Sequence, residues 1–226
     1  MKQFTLRSFG RTKGRALSEV QAGLIASRLG ELRLSADIGE NFNPKQLMPD
    51  AKEVWFEIGF GGAEHLISQA LSNKDKLIIG AEPFMDGVAK ALRLIEDEKT
   101  TNVRLVDDDA RPVLAKFQDK SLDRVFILFP DPWHKKRHNK RRILSAAFVN
   151  ELSRLLKPNG RLRFATDWAE YGEQAIEIIA GHNEFTMDSS SVSDIYRPPI
   201  DHFTTRYEVK KLGDSKPIFL DYTKTS

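Results

Sequence analysis

The 226-residue sequence contains no cysteine. A disulfide framework, a zinc–thiolate site and a thiol nucleophile are therefore excluded. The sequence also lacks any apolar stretch near the roughly 18 residues of a membrane span, and its N-terminus lacks the hydrophobic core of a signal peptide. We therefore expect a cytoplasmic protein with no membrane partner. The chain is 40% hydrophobic and 30% charged, a composition typical of a globular protein with a substantial core.

The net charge of +3 is small, but the charges are distributed unevenly. Residues 1–15 contain no acid, and their basic side chains are Lys2, Arg7, Arg11, Lys13 and Arg15. A second basic run, residues 135–142, has six cations and again no acid. Such clustering favours a polyanionic partner. We predict that residues 1–50 form a basic N-terminal arm with one short helix at 18–29, which can be disordered until its polyanionic partner binds, and that residues 51–226 form the folded domain.

After residue 50, apolar runs alternate with amphipathic segments. Strands are predicted at 53–58, 77–82, 103–106, 122–129 and 161–166, and helices at 62–71, 84–95, 143–156 and 169–179. This alternation predicts an α/β fold of the Rossmann-like type, in which helices cover both faces of a mostly parallel sheet. Two further strand-like segments, 207–210 and 216–222, have no helix between them. They predict an antiparallel C-terminal hairpin, which brings the sheet to seven strands.

A glycine-rich turn follows the first predicted strand, in the sequence Glu57-Ile58-Gly59-Phe60-Gly61-Gly62. Glycines such as Gly59 and Gly61 let the backbone turn sharply and approach a ligand closely. Glu82 ends the second strand about 20 residues later, where a carboxylate commonly binds a ribose diol. Asp109, after the third strand, can accept a hydrogen bond from an adenine amino group. The spacing therefore indicates an adenine nucleoside cofactor.

A glycine-rich turn after a strand can belong to a P-loop, to an NAD site or to an S-adenosylmethionine site. A P-loop is excluded because no Gly-Lys-Ser or Gly-Lys-Thr follows. NAD is compatible with the glycines alone. The acid Glu57, however, would repel a pyrophosphate and would favour a cationic sulfonium. S-adenosylmethionine is therefore the predicted cofactor.

Residues 129–142 are the most informative segment of the chain. Pro130 and Pro132 fix φ on either side of Asp131 and bias the backbone away from helix, so the carboxylate is held in place. Beside Trp133, such a carboxylate can bind a nucleobase, and the cations downstream can bind phosphates. The segment indicates an enzyme that acts on a base within a nucleic acid.

Some features of this region have simpler interpretations. The prolines alone are typical of an ordinary turn, and Trp133 and Trp168 can be core residues. His134 and His138 have the spacing of two ligands on a helix, but the flanking cations disfavour a divalent ion. No metal site is therefore predicted.

Together these motifs resemble the bacterial tRNA (guanine-N7)-methyltransferase family over about residues 50–210. The resemblance is carried, in chain order, by Glu57-Ile58-Gly59-Phe60-Gly61-Gly62, Glu82-Pro83, Asp109-Ala110, the run from Phe129 to Arg142, Ala165-Thr166-Asp167-Trp168 and Thr205-Arg206-Tyr207-Glu208. The basic sequence at 7–11 is also similar to the family's N-terminus. One departure is Gly62-Ala63, where many members have a single glycine followed by a large residue.

The resemblance implies a class I S-adenosylmethionine-dependent methyltransferase that methylates N7 of guanosine 46 in the tRNA variable loop. It implies cofactor contacts for Glu57, Gly59, Gly61, Glu82, Asp109 and Asp131. It implies substrate contacts for Lys135, Asp167, Thr205, Arg206, Tyr207 and Glu208, and RNA contacts for Arg137, Lys140, Arg141 and Arg142. Nothing in the sequence calls for an obligate protein partner, and a monomer or a homodimer is expected.

The chemistry implied is mainly positioning. Guanine N7 has an exposed lone pair at neutral pH, so a general base is not needed, and the enzyme must align N7 with the methyl group. Asp131 is the predicted catalytic residue, which orients the base and stabilises its developing positive charge. Asp167 and Glu208 are predicted to accept hydrogen bonds from guanine N1–H and the 2-amino group, a donor pair that adenine lacks.

Three other functions are compatible with parts of the pattern. A nucleic-acid amino-methyltransferase uses a related Asp-Pro-Pro-aromatic corner, but the sequence here is Asp131-Pro132-Trp133 with a basic run after it. A non-catalytic RNA-binding protein could keep a vestigial methyltransferase fold, although the full set of acids argues against decay. An NAD-dependent dehydrogenase is the weakest alternative.

Overall fold

The described residues, 16–189 and 191–225 of the computed structural model, build a seven-stranded sheet of order β3-β2-β1-β4-β5-β7-β6. Its strands are β1 (Glu53–Ile58), β2 (Lys76–Ala81), β3 (Val103–Val106), β4 (Leu122–Leu128), β5 (Leu156–Thr166), β6 (Phe185–Met187) and β7 (Ile218–Lys224). Strands β1 to β5 run parallel, whereas β7 is antiparallel to β5 and β6 is antiparallel to β7. The predicted α/β fold, mostly parallel with antiparallel C-terminal strands, is confirmed.

Helices cover both faces of this sheet. They are α1 (Glu19–Leu32), α2 (Glu64–Ser72), α3 (Met85–Glu98), α4 (Ala110–Leu114), α5 (Ala146–Leu155), α6 (Ala169–Ala180) and α7 (Arg206–Lys210), with 3₁₀ turns at Pro44–Leu47, Lys136–Arg141 and Asp194–Tyr196. Neighbouring strand residues belong to opposite cores: Phe56 packs with α5 and α6, and Trp55 packs with α2 and α3. Because the central strands are buried on both faces, their sequences contain runs of consecutive apolar residues.

The C-terminal part differs from the prediction. Residues 207–210 were predicted to form a strand, which is wrong: they lie in helix α7. Thr205 and Glu208 form a capping box, in which each side chain hydrogen-bonds the other's backbone N–H, and this arrangement starts a helix. Strand β7 pairs with β5 on one side and with β6 on the other, and β6 is a three-residue segment that was not predicted from the sequence.

The boundary between α5 and β5 also differs. Helix α5 was predicted to begin at residue 143, but Ser145 caps it and its first residue is Ala146. Strand β5 was predicted from residue 161, yet it begins at Leu156, which pairs with Leu122 of β4. The Pro-Asn-Gly sequence that follows Lys157 therefore lies inside a long irregular strand, where the register with β4 shifts.

Residues from the N-terminal fifty pack on the domain. Ser18 caps α1 through a capping box with Gln21, whose side chain also donates to Asp86 of α3 at 2.9 Å. Arg33 forms a bidentate pair with Asp107 at 2.7 and 2.8 Å. The basic residues of the predicted arm, 1–15, lie outside the described residues. Within the described ranges, no helix has the length and apolar character needed to cross a membrane.

A partly buried ion-pair cluster, here named the Asp201 cluster, anchors the segment that leads into α7. Asp201 contacts Arg124 at 2.6 Å and Arg163 at 2.9 Å, and Arg163 also pairs with Asp221 at 2.7 Å. Burial raises the pKa of Asp201, but the charges and hydrogen bonds of the two arginines outweigh it and lower the pKa to about 2. The cluster therefore ties residue 201 to β4 and β5.

Candidate active site

A cleft of about 550 Å³ opens at the carboxyl ends of the parallel strands. The chain order reverses there, because β1 lies between β2 and β4, and such a reversal is the usual ligand site of open α/β sheets. The cleft brings together all the predicted cofactor residues, namely Glu57, Gly59, Gly61, Glu82, Asp109 and Asp131. Its other side is lined by residues from later in the chain, which include Arg141, Thr205, Arg206 and Tyr207.

The glycine turn after β1 has a backbone that other residues rarely adopt. Gly59 and Gly61 have φ values of 76° and 54°, and a Cβ built on either would meet nothing within 4 Å. The backbone therefore borders open cleft space at both positions. Ala63, part of the departure from the family pattern, adopts a φ of 65° at the start of α2. The turn thus accommodates this residue in a left-handed conformation.

Glu82 is held at the edge of the cleft by two backbone donors. Its Oε2 accepts the Gly61 N–H and its Oε1 accepts the Phe84 N–H, each at 2.9 Å. Burial raises the pKa of Glu82, the two backbone hydrogen bonds oppose that rise, and the charge of Asp131 adds to it. Because each carboxylate oxygen can accept more than one hydrogen bond, Glu82 can still bind two vicinal hydroxyls.

Two other predicted cofactor residues already have partners within the protein. Glu57 is 3% exposed and receives a hydrogen bond from His65 Nδ1 at 2.8 Å, while His65 Nε2 lies 3.1 Å from Gln69. Asp109 caps α4 and forms an ion pair with the guanidinium of Arg111. Sequence reasoning did not find His65 or Arg111. Glu57 and Asp109 are fixed parts of the cleft wall.

The proline corner, residues 129–133, links β4 to the basic run. The residues at its two ends are in the left-handed region, with φ of 50° for Phe129 and 45° for Trp133. Each costs about 1–2 kcal/mol for a residue with a side chain. The Phe129 N–H donates to the Ala165 carbonyl of β5 at 2.8 Å, and the Arg141 guanidinium lies 5.0 Å above the Trp133 ring. Asp131 is therefore presented to the cleft by a strained but anchored backbone.

Asp167 lies behind the cleft wall and is 4% exposed. The Tyr207 hydroxyl donates to its Oδ1 at 3.2 Å, and the Gly213 N–H donates to its Oδ2 at 2.9 Å. The indole N–H of Trp168 donates to the same hydroxyl at 3.4 Å. Burial and the neighbouring Asp167 raise the pKa of Tyr207. Asp167, which is predicted to contact guanine, is thus placed behind the cleft wall with the Tyr207 hydroxyl as one of its partners.

Glu208 is similarly occupied. Its carboxylate accepts the Thr205 N–H at 2.8 Å and lies 3.0 Å from Nε2 of His202, whose side chain is 1% exposed. Burial raises the pKa of Glu208, but the His202 and Thr205 hydrogen bonds outweigh it and lower the pKa. The spacing Thr205-x-x-Glu208 is a capping-box signal that the sequence analysis left unused.

The basic run divides into exposed and buried members. Lys135, Arg137 and Lys140 are exposed around the 3₁₀ turn, and Lys135 also lines a second, shallower cleft of about 370 Å³ beside Trp133. Arg142, which is predicted to contact RNA, is 5% exposed and donates to the Pro132 carbonyl and to a side chain of α6.

Trp133 and Trp168 are both half-buried; Trp133 lines the cleft, whereas Trp168 packs against the edge of the hydrophobic core. The His134 ring stacks on Trp168 with a centroid distance of 5.7 Å and an interplanar angle of 15°. His138 meets the edge of Trp133 at 6.0 Å. The histidines of this segment thus pack on aromatic rings. No cluster of three or more candidate metal ligands occurs within residues 16–189 and 191–225.

Comparisons with known proteins agree with this geometry. A family model described as "Putative methyltransferase" matches residues 51–220. The chain is 50% identical over 220 residues to a tRNA (guanine-N(7)-)-methyltransferase of Caulobacter sp. (strain K31), covering 97% of this chain and 95% of that protein. A protein of the same name from Hyphomonas neptunium is 48% identical, with coverage of 96% and 99%.

Solved structures share the fold at low sequence identity. The 16S rRNA (adenine(1408)-N(1))-methyltransferase from Catenulisporales acidiphilia superposes with a TM-score of 0.55 at 14% identity, over 85% of this chain and 97% of that chain. An rRNA methylase from Streptococcus thermophilus gives a TM-score of 0.54 at 12% identity, with coverage of 78% and 89%. These two likenesses concern the fold alone. On the strength of the family model and the close relatives, the chain belongs to the tRNA (guanine-N(7)-)-methyltransferase family.

Proposed function

We propose that the protein transfers the methyl group of S-adenosylmethionine to N7 of guanosine 46 in the tRNA variable loop, and that it acts in the cytoplasm. The relatives that are 50% and 48% identical carry the name of this activity. The observation that carries the proposal is a single cleft lined by Glu82 at the end of β2, Asp131 after β4 and Tyr207 of α7. A cofactor carboxylate, a reaction carboxylate and a base-binding wall then face the same space.

The residues of the cleft fit S-adenosylmethionine. The open space beside Gly59 and Gly61 admits a ligand close to the backbone. Glu82 retains acceptor capacity for the two ribose hydroxyls, and the acids Glu57 and Asp131 favour a cationic ligand. When bound, S-adenosylmethionine would supply an electrophilic methyl group on a positively charged sulfur.

The reaction then depends on alignment. The N7 lone pair forms the new nitrogen–carbon bond while the methyl–sulfur bond breaks, and the positive charge passes from sulfur to the guanine ring. No proton leaves N7, so no general base is needed. Asp131 holds a negative charge beside the reacting atoms and stabilises the cationic ring in the transition state. Thr205, Arg206 and Tyr207 line the substrate side, where Asp167 accepts a hydrogen bond from Tyr207 and Glu208 accepts one from Thr205.

Exposed cations supply the contacts to the rest of the RNA. Lys135, Arg137 and Lys140 project from the segment that follows the proline corner, so phosphates bound there would place a nearby base at Asp131. Each phosphate contact makes the decrease of log affinity with log salt steeper by about 0.7–0.9. Binding of tRNA should therefore weaken steeply as salt rises.

The test is methyl transfer from labelled S-adenosylmethionine to unmodified tRNA, with the product mapped by cleavage at 7-methylguanosine. Label at the variable-loop guanosine is expected. Label on an exocyclic amine would instead indicate an amino-methyltransferase. Binding of tRNA without transfer would indicate a non-catalytic RNA-binding protein.

The Asp131→Asn variant tests the reaction carboxylate. We expect kcat to fall about 100- to 1,000-fold, the usual effect of losing a transition-state electrostatic contact. Asp97→Asn, on the exposed surface of α3, is the control and should retain wild-type turnover. Full activity of Asp131→Asn on normal tRNA would show that the proposed role is wrong.

A further inference from the structure

Arg142 ends the basic run but does not share the environment of its exposed neighbours. Its side chain is 2% exposed. Nε donates to the Pro132 carbonyl at 2.7 Å, Nη1 donates to Gln174 at 2.7 Å, and Nη2 lies 3.5 Å from Glu170. The guanidinium also lies 4.7 Å above the Tyr171 ring. Each of its three nitrogens therefore faces a protein acceptor, and a ring covers one face.

The Pro132 carbonyl is an unusual place for such a contact. It belongs to the peptide that joins Pro132 to Trp133, and Trp133 has a φ of 45°. The orientation of that peptide plane helps to set the φ of Trp133. A buried hydrogen bond from a cation to this carbonyl therefore stabilises a backbone conformation that an aromatic residue rarely adopts.

The other partners of Arg142 all lie on one helix. Glu170, Tyr171 and Gln174 belong to the first turns of α6, which follows β5 directly. Arg142 thus connects the corner after β4 to the helix after the neighbouring strand β5. The forked guanidinium makes this connection because it donates to the Pro132 carbonyl and to the Gln174 side chain at the same time.

We propose that Arg142 is a positioning residue for methyl transfer, holding the proline corner so that Asp131 and Trp133 face the cleft. This inference rests on the proposed function. Asp131 and Trp133 flank Pro132 in the chain, and both line the cleft. Arg142 acts through the backbone between them and does not contact RNA.

The decisive comparison is between Arg142→Gln and Arg137→Gln, the same chemical change at a buried and an exposed position of one run. For Arg142→Gln we expect kcat to fall at least 20-fold, while the salt dependence of tRNA binding keeps the wild-type slope. For Arg137→Gln we expect weaker tRNA binding and a slope reduced by about 0.7–0.9. A reduced slope with unchanged kcat in Arg142→Gln would overturn the inference.

Two more variants keep the test decisive. Arg142→Lys retains the charge but loses the forked guanidinium, so kcat should fall as it does in Arg142→Gln. If Arg142 instead contacted phosphate, lysine would largely preserve that contact. If Arg142→Gln fails to fold, Gln174→Leu removes one partner and should lower kcat about three- to tenfold with unchanged tRNA affinity. Wild-type turnover in both Arg142→Lys and Gln174→Leu would also overturn the inference.

The failure of this inference is separable from failure of the proposed function. Wild-type protein that transfers no methyl group to tRNA would refute the proposed function and, with it, this role of Arg142. Active wild-type protein with an equally active Arg142→Gln variant would refute only the role of Arg142. Arg93→Gln, an exposed change on α3, should match wild type throughout.

Discussion

Replacing Glu82 with glutamine should weaken cofactor binding more than any other single isosteric change in the cleft. The carboxylate accepts one backbone N–H on each oxygen, from Gly61 and from Phe84, and has acceptor capacity left on both. Two vicinal ribose hydroxyls can use that capacity. An amide offers one oxygen only, and its NH₂ group would face either a backbone donor or a hydroxyl.

The expected loss of binding free energy for S-adenosylmethionine follows from these contacts. A hydrogen bond to a charged acceptor contributes about 1.5–3 kcal/mol, and one such contact is lost outright while the other loses its charge. A total of about 2–3 kcal/mol raises the Kd for S-adenosylmethionine by about 30- to 150-fold. Stability should fall by only about 1 kcal/mol, because a single backbone N–H loses its partner.

The pH dependence of binding gives a second test of Glu82. Burial and the charge of Asp131 raise the pKa of Glu82, so its carboxylate takes up a proton at a higher pH than an ordinary glutamate. The cofactor affinity of the wild type should therefore fall as the pH drops through that raised pKa. In Glu82→Gln, this part of the pH dependence should be absent.

The assay is isothermal titration calorimetry with S-adenosylhomocysteine, which avoids turnover, supported by thermal unfolding of each variant. Glu98→Gln, an exposed acid at the end of α3, is the matched control and should bind like the wild type. If folded Glu82→Gln bound the ligand within twofold of wild type, the assignment of the ribose to Glu82 would be refuted.

Two further variants probe the frame around the site. In Gly87→Ala, the new Cβ would clash with the Gly61 carbonyl, so overpacking should destabilise the protein by about 1–3 kcal/mol and lower cofactor affinity at least tenfold in calorimetry. Gly23→Ala, with open space at its Cβ, should have neither effect. Asp201→Asn should cost about 2 kcal/mol in urea unfolding, a value discounted from the usual cost of breaking a buried pair because Asp201 is 38% exposed. Since the Asp201 cluster lowers the pKa of this carboxyl to about 2, wild-type stability should fall as pH drops from about 4 towards 2, and the asparagine variant should lose less over that interval.

Most of the sheet could be predicted from the sequence because its central strands are buried on both faces. In β4, the run from Val125 to Leu128 is entirely apolar, and glycine or proline marks the turns after β1, β2 and β4. Helix α7 could not be found in this way, since its five residues are too short to show a period. The local capping pair of Thr205 and Glu208 decided its structure, against the strand-like composition of the segment.

The sequence predicted which segments of the chain meet at the candidate site, but it predicted less well which side chains there keep free acceptor capacity. The acid near the end of β1 and the acids after β2, β3 and β4 meet because the carboxyl ends of parallel strands share one edge of the sheet. Which acids keep free acceptor capacity depends on partners distant in the chain, such as Tyr207 for Asp167 and His202 for Glu208. No spacing rule in one sequence indicates those partners.

The same limit explains why the buried position of Arg142 was not predicted from the sequence. In the sequence, Arg137, Arg141 and Arg142 are equivalent cations of one run, and an RNA-binding role for all of them was the natural prediction. The 3₁₀ turn at Lys136–Arg141 ends at Arg142 and directs the chain back under the proline corner. A basic run beside a strained corner can therefore have two roles, with exposed members available for phosphate and a buried member holding the backbone that presents the proposed reaction carboxylate. Exchanging arginine for lysine separates the two roles, because a phosphate contact tolerates the change and a forked contact to a carbonyl and an amide does not.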